Sequence, residues 1–222
     1  MFRTILWDND GVLVDTEGLF FEATRRVLSG RGVKVTLDLF RDYSLREGRS
    51  LFELAETQGL GPQDIESLRA ERNRLYAALL ATQVKVMDGV RETLEALHGR
   101  YRMGIVTSSR RDHFETMHQH TGLLRYFEFA VTLEDTSRTK PHPDAYWAAL
   151  ERLKLRPENG VAVEDSPRGL TAARAAGLRC LMVPHHLTRD QRFEGAEKIL
   201  ASVRQIPAEL ARMAAQESGS TG

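Results

Sequence analysis

Two aspartates, Asp8 and Asp10, flank Asn9 in the stretch Trp7-Asp8-Asn9-Asp10-Gly11, which follows the apolar run Ile5-Leu6. A strand that runs into a glycine-permitted turn leaves both carboxylates at its carboxyl end, where open parallel α/β sheets place their ligand crevice. Two carboxylates this close repel each other when both are ionised, so the pair favours a bound cation or one protonated acid. Mg²⁺ suits such oxygen ligands. A surface turn of ordinary loop residues is the alternative interpretation of this stretch taken alone.

Three later stretches also place polar side chains at the ends of apolar runs. In Thr107-Ser108-Ser109 a hydroxyl and the N–H groups of a following helix would hold a phosphate oxygen, although a plain helix N-cap has the same residues. Pro141 and Pro143 rigidify the backbone near Lys140 and leave a fixed cation for an anionic intermediate; a solvated lysine before a helix is the alternative. Glu164-Asp165 is a second carboxylate pair, and helix-capping carboxylates would look similar.

The elements around these stretches alternate between short apolar runs and helical patterns. Predicted strands cover residues 102–107, 129–132, 160–163 and 179–183, and predicted helices separate them at residues 111–121, 143–155 and 167–176. This alternation is typical of a doubly wound, parallel α/β sheet of the Rossmann kind. Because the carboxyl ends of parallel strands share one edge, we expect the polar stretches to meet there.

Residues 16–83 differ from the rest of the chain because helical periodicity continues almost throughout and short β-branched runs are missing. Pro62 starts one such helix, whose periodic positions include Leu68 and Arg72. The pattern predicts an α/β core made of residues 1–15 and 84–222, interrupted by an all-α cap of residues 16–83.

The composition argues against several classes of partner. Lys and Arg together number 31, as do Asp and Glu, so the chain has no net field to attract nucleic acid or an anionic membrane. No stretch approaches the ~20 apolar residues of a membrane span, and charge interrupts the first apolar run as it does not in a secretion signal. We predict a soluble, cytoplasmic monomer. The single cysteine, Cys180, lies in an apolar stretch and is expected to be a buried thiol.

The polar stretches occur in one order along the chain: Asp8-x-Asp10-Gly11-Val12-Leu13-Val14-Asp15-Thr16, then Thr107 after an apolar strand, Lys140-Pro-x-Pro-Asp144, and Glu164-Asp165-Ser166-x-x-Gly169. Together they resemble the haloacid dehalogenase superfamily of phosphatases and phosphomutases over nearly the whole chain. The subgroup that the sequence looks like contains β-phosphoglucomutase and small sugar-phosphate phosphatases. In that family a helical cap is inserted after the first motif, where this chain shows its long helical stretch.

The resemblance implies a covalent mechanism. Asp8 is expected to attack phosphorus and form an aspartyl-phosphate, while Asp10 protonates the leaving oxygen and later deprotonates the attacking water. The expected ligands of Mg²⁺ are the Asp8 carboxylate, the main-chain carbonyl of Asp10 and Asp165, with Glu164 directly bound or close by.

The resemblance also implies which groups contact the substrate. Thr107, the N–H of Ser108 and the Lys140 ammonium are expected to hold the phosphoryl oxygens. Asn9 and Ser109 complete the predicted phosphate- and substrate-binding set around them.

Substrate choice is expected to reside in the cap. Its specificity loop would contain Gly48, which permits close approach, and Arg49, which is available for a hydroxyl or a second anionic group. Arg49 is equally well explained as a solvated residue at a helix start. Position 20 is Phe, whereas the mutases that the chain resembles carry His there, and this difference favours hydrolysis over isomerisation.

The sequence therefore predicts a Mg²⁺-dependent phosphatase acting on a small phosphorylated metabolite, a sugar or polyol phosphate. A phosphomutase of the β-phosphoglucomutase type is the nearest alternative. A signalling receiver also combines an acidic metal pocket, a hydroxyl and a lysine on a doubly wound sheet. Receivers carry the phosphorylated Asp after a middle strand, however, whereas Asp8 follows the first.

Overall fold

The computed structural model describes residues 3–219. Its strands, in chain order, are β1 (Thr4–Trp7), β2 (Val14–Asp15), β3 (Lys85–Val86), β4 (Arg102–Val106), β5 (Phe129–Val131), β6 (Gly160–Glu164), β7 (Arg179–Met182) and β8 (Lys198–Ile199). Its α-helices are α1 (Glu17–Ser29), α2 (Leu37–Phe40), α3 (Phe52–Thr57), α4 (Pro62–Gln83), α5 (Val90–Leu97), α6 (Arg111–His118), α7 (Asp144–Leu153), α8 (Pro167–Ala175) and α9 (Ile206–Gly219). A π-helix, Arg41–Arg46, follows α2, and short 3₁₀ turns join several other elements.

The main sheet has six strands in the order β5-β4-β1-β6-β7-β8, and every neighbouring pair is parallel. β1 lies near the middle, so that Thr4 stands opposite Arg102 of β4 on one side and Gly160 of β6 on the other. Helices connect the strands of this sheet from β1 to β7 and cover both faces, which confirms the predicted doubly wound α/β fold. The carboxyl ends of β1, β4 and β6 are consequently neighbours.

Successive side chains of β1 serve two different cores because they point to opposite faces of the sheet. Ile5 and Trp7 pack into one hydrophobic cluster, and Leu6 packs into the other. All three are fully buried, and removing each such side chain from water contributes roughly 1.5–3 kcal/mol. A strand buried on both faces in this way reads in the sequence as a continuous apolar run.

Helices fill the two cores from residues spaced by about one turn. On the first face, α5 contributes Val90, Leu94 and Leu97, and α9 contributes Ile206 and Leu210. On the second face, α7 and α8 supply Ala145, Tyr146, Ala149, Leu150, Leu153, Leu170 and Ala173. This spacing is the i, i+3, i+4 pattern of an amphipathic helix on a sheet.

The helical segment, residues 16–83, contains α1 to α4 and the π-helix, and it has no strand anywhere along its fully described length. Leu28, Phe40 and Phe52 are buried in a third hydrophobic cluster, which Leu187 of the α/β part joins. The chain enters the segment through β2 and leaves through β3, which pair antiparallel with Val14 opposite Val86. The exact division into core and cap at these residues stays a prediction.

Two smaller expectations concern the membrane and the cysteine. Among the described helices, none is both long enough and apolar enough to cross a membrane. Cys180 lies on β7 as a free, buried thiol, as predicted.

Candidate active site

Three of the predicted site residues lie at the carboxyl ends of adjacent strands. Asp8 follows β1, Thr107 follows β4, and Glu164 is the last residue of β6. The N–H of Asp8 donates to the carbonyl of Val163 at 2.9 Å, and the N–H of Thr107 donates to the carbonyl of Val131 at 3.0 Å. These bonds continue the hydrogen-bond ladders of the strands, so the sheet fixes the backbone positions of Asp8 and Thr107.

Lys140 comes from the loop before α7 and reaches the same edge. Its Nζ donates to Oδ1 of Asp8 at 2.7 Å and to the carbonyl of Val106 at 2.8 Å, and it lies 2.6 Å from Oε1 of Glu164. Burial alone would lower the pKa of Lys140, but the carboxylates of Asp8 and Glu164 outweigh burial and raise that pKa. The ammonium is therefore a fixed cation beside Asp8, and removing one partner of such a buried pair costs about 3–5 kcal/mol.

Asp8, Glu164 and Asp165 form a buried group of carboxylates, hereafter the acid cluster, that has the composition of a metal site. One oxygen from each lies within 4.8 Å of the others. Oε1 of Glu164 accepts a hydrogen bond from the Tyr146 hydroxyl at 2.6 Å, whereas Oε2 is buried without a hydrogen-bond partner among the described residues. Burial first, and then Glu164, raise the pKa of Asp8 to about 7. Three carboxylates that share the single Lys140 ammonium offer hard oxygen ligands of the kind that fits Mg²⁺.

His185 lies against the acid cluster, with Nε2 2.8 Å from Oδ2 of Asp165. Gly11 makes this contact possible. It has a φ of 82°, and a Cβ at that position would lie 2.5 Å from Oδ2 of Asp165 and 2.8 Å from Nε2 of His185. Glycine is therefore required here both for the backbone conformation and for the space it leaves.

The Asp10 carboxylate is held by hydroxyl groups and is not one of the three carboxylates of the acid cluster. Oδ1 accepts a bond from Thr16 at 2.6 Å, and Oδ2 accepts bonds from Thr107 at 3.0 Å and from Ser109 at 2.8 Å. Asn9 donates a longer bond, 3.3 Å, to the same Oδ2. The side chain of Asp10 is half-buried and borders a cavity, a suitable place for a group that exchanges protons with a substrate.

A cavity of about 290 Å³ opens at this edge of the sheet. The core contributes predicted site residues to its wall: Asp8, Asp10, Thr107, Ser108, Ser109 and Lys140. Oγ of Ser108 is buried and has no hydrogen-bond partner among the described residues, so it is free to bond a ligand. The structure thus brings together most of the residues that the sequence singled out.

The opposite wall comes from the helical segment. α1 contributes Glu17 and Phe20, the region from α2 to the π-helix contributes Phe40, Ser44 and Leu45, and α4 contributes Arg69, Arg72, Asn73 and Tyr76. The ring of Phe20 packs edge-on to Tyr76 with centroids 5.2 Å apart. The cavity therefore lies between the strand ends and the helical segment.

Three of the predicted binding residues are not part of the cavity wall. Asn9 is fully buried and points its amide toward Met117 and His118 as well as Asp10. Arg49 is exposed, donates to Glu53 at 2.6 Å and lies over the ring of Tyr43.

Gly48 approaches the protein's own Lys140 loop rather than the cavity. A Cβ on it would lie 2.7 Å from Cδ of Pro141 and 2.9 Å from the carbonyl oxygen of Lys140. Its φ of 70° also favours glycine. Roles for Asn9, Gly48 and Arg49 in substrate binding stay predictions.

Sequence reasoning gave no role to His113, His118 or His185, which the structure places next to site residues; His113 borders the cavity. Besides His185, His118 is buried on α6, with Nε2 2.7 Å from Oδ1 of Asn9 and Nδ1 2.9 Å from the Thr121 hydroxyl. Because Oδ1 of Asn9 can only accept, Nε2 carries a proton. Burial lowers the pKa of His118 to about 4. No local pattern marks such contacts, because the partners are far apart in the chain.

Glu17 and Arg168 also line the cavity and were not predicted. The Arg168 guanidinium lies 3.6 Å from the Glu17 carboxylate. Burial raises the pKa of Glu17 to about 8, although Arg168 opposes that shift. Glu17 directly follows Thr16, the last residue of the first motif, and this position in the chain could have marked it as a site residue.

The family model for haloacid dehalogenase-like hydrolases matches residues 5–183. The chain belongs to this family. A phosphorylated carbohydrates phosphatase from Thermotoga maritima is 36% identical over 194 residues, which cover 85% of this chain and 88% of the relative. The family and its phosphatase relatives bear out the predicted resemblance and the prediction of a hydrolase that acts on phosphoric monoesters.

Solved structures agree with this assignment over almost the whole chain. A mutant of CbbY from Rhodobacter sphaeroides in complex with xylulose-(1,5)bisphosphate is 27% identical, with a TM-score of 0.79 and coverage of 92% of this chain and 96% of that one. A β-phosphoglucomutase described as putative, from Thermotoga maritima, is 30% identical, with a TM-score of 0.72 and coverage of 95% and 99%.

Proposed function

We propose that the protein is a Mg²⁺-dependent phosphatase that hydrolyses a phosphorylated sugar or polyol through an aspartyl-phosphate on Asp8. The observation that carries the proposal is the contact of Lys140 with Asp8, 2.7 Å, at the edge of a buried acid cluster and an open cavity. A fixed cation beside a carboxylate stabilises charge on incoming phosphoryl oxygens. The 36% identical relative from Thermotoga maritima, a phosphatase of phosphorylated carbohydrates, supports the substrate class.

In the first step, a carboxylate oxygen of Asp8 forms a bond to phosphorus as the bond to the leaving sugar oxygen breaks. Asp10, in its protonated form, gives its proton to that oxygen, so a neutral alcohol departs. The hydroxyls of Thr16, Thr107 and Ser109 hold the Asp10 carboxyl during this transfer. Ser108 and Lys140 bind oxygens of the transferring group.

In the second step, Asp10 takes a proton from water as the water oxygen attacks phosphorus. The bond between phosphorus and Asp8 breaks, and inorganic phosphate leaves with Asp8 and Asp10 restored for another cycle. Asp8, Glu164 and Asp165 would hold Mg²⁺, which neutralises charge when an anionic carboxylate approaches an anionic phosphate.

The test is turnover of 4-nitrophenyl phosphate by the full chain with Mg²⁺ and after chelation. We expect many phosphates released per chain with Mg²⁺ and almost none without it. Asp8→Asn abolishes turnover while the protein stays folded by circular dichroism, because the substitution conserves shape but removes the nucleophile. Substantial Mg²⁺-dependent hydrolysis by pure Asp8→Asn protein contradicts the covalent mechanism.

A phosphomutase is the second candidate, and the 30% identical structure described as a putative β-phosphoglucomutase favours it. A mutase must protect its aspartyl-phosphate from water until a sugar hydroxyl arrives. In this chain Phe20 borders the cavity near Asp10 and offers no proton and no hydrogen bond. Hydrolysis is therefore the function that we place first.

A further inference from the structure

A chain of buried side chains leads from the end of α6 to Asp10, the proposed acid/base. The Thr121 hydroxyl lies 2.9 Å from Nδ1 of His118, and Nε2 of His118 lies 2.7 Å from Oδ1 of Asn9. Nδ2 of Asn9 then donates to Oδ2 of Asp10 at 3.3 Å. Thr121, His118 and Asn9 are buried and do not border the cavity. Any effect that they have on a substrate therefore passes through Asp10.

The Asp10 carboxylate sets the direction of every hydrogen bond in this chain. A carboxylate only accepts, so Asn9 turns its NH₂ group toward Asp10 and its carbonyl oxygen toward His118. That oxygen needs a donor, which is the N–H at Nε2 of His118. Burial lowers the pKa of His118 to about 4, so at neutral pH Nδ1 is unprotonated and accepts from the Thr121 hydroxyl. Three side chains thus form one line of donors that ends on Asp10.

His118 fixes the orientation of the Asn9 amide. In the observed orientation Oδ1 of Asn9 accepts from His118, and Nδ2 contacts Sδ of Met117 at 3.2 Å besides donating to Asp10. A reversed amide would set Oδ1 against the Asp10 carboxylate and the NH₂ group against the N–H of His118, so it would lose both bonds. The histidine therefore selects the orientation in which Asn9 donates to Asp10.

Asn9 differs from Thr107 and Ser109, the other donors to Oδ2 of Asp10. Those two residues border the cavity, where oxygen atoms of a substrate can compete for the single hydrogen of each hydroxyl. Asn9 approaches Asp10 from the buried side and meets no substrate. Its N–H group is therefore a donor to Asp10 that stays in place whatever occupies the cavity.

We propose that Asn9 and His118 are positioning residues for Asp10: His118 fixes the Asn9 amide, and the N–H group of Asn9 holds the Asp10 carboxyl in the orientation for proton transfer to the leaving oxygen. The proposal rests on the proposed phosphatase function, in which Asp10 gives that proton. Three hydroxyl groups also hold the carboxyl, so loss of the Asn9 bond slows proton transfer and does not abolish it.

The readout is the leaving-group ratio, which is kcat/KM for glucitol 6-phosphate divided by kcat/KM for 4-nitrophenyl phosphate. Glucitol needs the proton from Asp10 when it departs, whereas nitrophenolate needs little protonation, so a misplaced Asp10 lowers the ratio. Asn9→Leu keeps the branched shape of the side chain without its polar atoms. We expect it to lower the leaving-group ratio by about 10-fold, the value of one charge-assisted hydrogen bond. An unchanged ratio overturns the proposal.

A double variant separates positioning from packing. Asn9→Leu alone leaves the N–H of His118 unpaired in the core, which costs stability as well as activity. When Asn9→Leu is combined with His118→Leu, both partners are apolar, so the free energy of unfolding in urea rises above that of Asn9→Leu. The leaving-group ratio is expected to stay low. Recovery of the ratio together with stability would show that Asn9 and His118 only fill the core, and it overturns the proposal.

His118→Gln tests the N–H group itself, because the amide nitrogen of glutamine can take the place of Nε2 and donate to Asn9. This variant is expected to keep the leaving-group ratio close to wild type, whereas His118→Leu lowers it by about 10-fold. Equal losses in the two variants contradict the role of His118. Met117→Leu is the matched control, since it conserves volume and removes only the sulfur contact of the Asn9 amide. It leaves the ratio unchanged.

NMR of the histidine ring nitrogens in the folded wild-type chain keeps this proposal separate from the phosphatase function. A wild-type chain that releases no phosphate from 4-nitrophenyl phosphate or glucitol 6-phosphate refutes the function. The spectrum at neutral pH still reports the tautomer of His118, with the proton expected on Nε2 and none on Nδ1. A proton on Nδ1 alone would mean that the Asn9 amide is reversed, and it overturns the proposal whether or not the protein is a phosphatase.

Discussion

The hydroxyl of Thr16 donates a 2.6 Å hydrogen bond to Oδ1 of Asp10. Thr16 immediately precedes α1, the first helix of the helical segment, while Asp10 belongs to the loop after β1. A single bond therefore joins the proposed acid/base to the start of the opposite cavity wall. Any displacement of α1 toward or away from the sheet changes how Asp10 is held.

Thr16→Val removes this bond without changing the size of the side chain. We expect kcat to fall by about 10-fold, because a charge-assisted hydrogen bond orients the proton donor. The loss is larger for an alkyl phosphate than for 4-nitrophenyl phosphate, whose leaving group needs little protonation. Thr24→Val is the control, since the Thr24 hydroxyl donates to the carbonyl of Phe20 within α1 and to no site residue among those described. Equal losses with both leaving groups would argue against a role through Asp10.

His185→Gln is expected to weaken Mg²⁺ binding by about 10- to 100-fold, the usual effect of losing a partner of a metal ligand. His185 lies 2.8 Å from Asp165 and restricts its carboxylate. The measurement is the Mg²⁺ concentration that gives half-maximal activity, checked by calorimetry. His186→Gln, at the exposed neighbouring position, leaves the Mg²⁺ requirement at its wild-type value. An unchanged requirement in His185→Gln contradicts the prediction.

His118 makes stability depend on pH in a defined direction. Its pKa is near 4 in the folded chain and about 6.5 when unfolded, so only the unfolded chain takes up a proton between these values. The neutral ring makes its full contribution to the free energy of unfolding above pH 6.5. That contribution is lost as the pH falls toward 4, and the total loss is about 3 kcal/mol. Urea unfolding of wild type and His118→Gln from pH 4 to 7 measures this loss of stability.

The difference in unfolding free energy between wild type and His118→Gln should shrink as the pH falls. His120→Gln, which changes an exposed histidine two residues away, should give the wild-type pH dependence. A constant difference between His118→Gln and wild type across the range would show that His118 is not the titrating group.

β-Glucose 1-phosphate, if it is accepted, is expected to be hydrolysed and not isomerised. Phe20 contacts Tyr76 and Arg72 at the cavity wall and has no group that could restrain Asp10 from activating water. Free phosphate and glucose 6-phosphate are assayed in parallel, with glucose 1,6-bisphosphate as primer. Efficient formation of glucose 6-phosphate with little free phosphate would contradict this expectation.

The sequence was sufficient to predict the sheet and the residues at its carboxyl edge, for a physical reason. A strand buried on both faces is a short apolar run, and the polar residue that follows it must lie at the sheet's edge. Asp8, Thr107 and Glu164 were therefore placed from local pattern alone. The shared edge also predicted that the stretch with Lys140 would approach Asp8, but the direct contact between these two side chains, 132 positions apart, was not predicted.

The cavity's other wall was less accessible to prediction. Helical periodicity marked Arg72 as a member of the α4 pattern, but it gave no information on which neighbour each face of α4 meets. The same limit applies to His118 and to His185, whose partners Asn9 and Asp165 are distant or on another strand end. Contacts of this kind depend on how whole elements pack, which a local pattern does not contain.

The division of α4 into two rows of residues has a consequence for how such enzymes diverge. Ile65, Leu68 and Leu80 are buried in the hydrophobic clusters and hold the helix in place, whereas Arg69 and Arg72 border the cavity. Substitutions in the cavity row can accumulate without loss of the fold. A lineage that keeps the same nucleophile and the same sheet can therefore acquire new substrates through a few changes on a single helix.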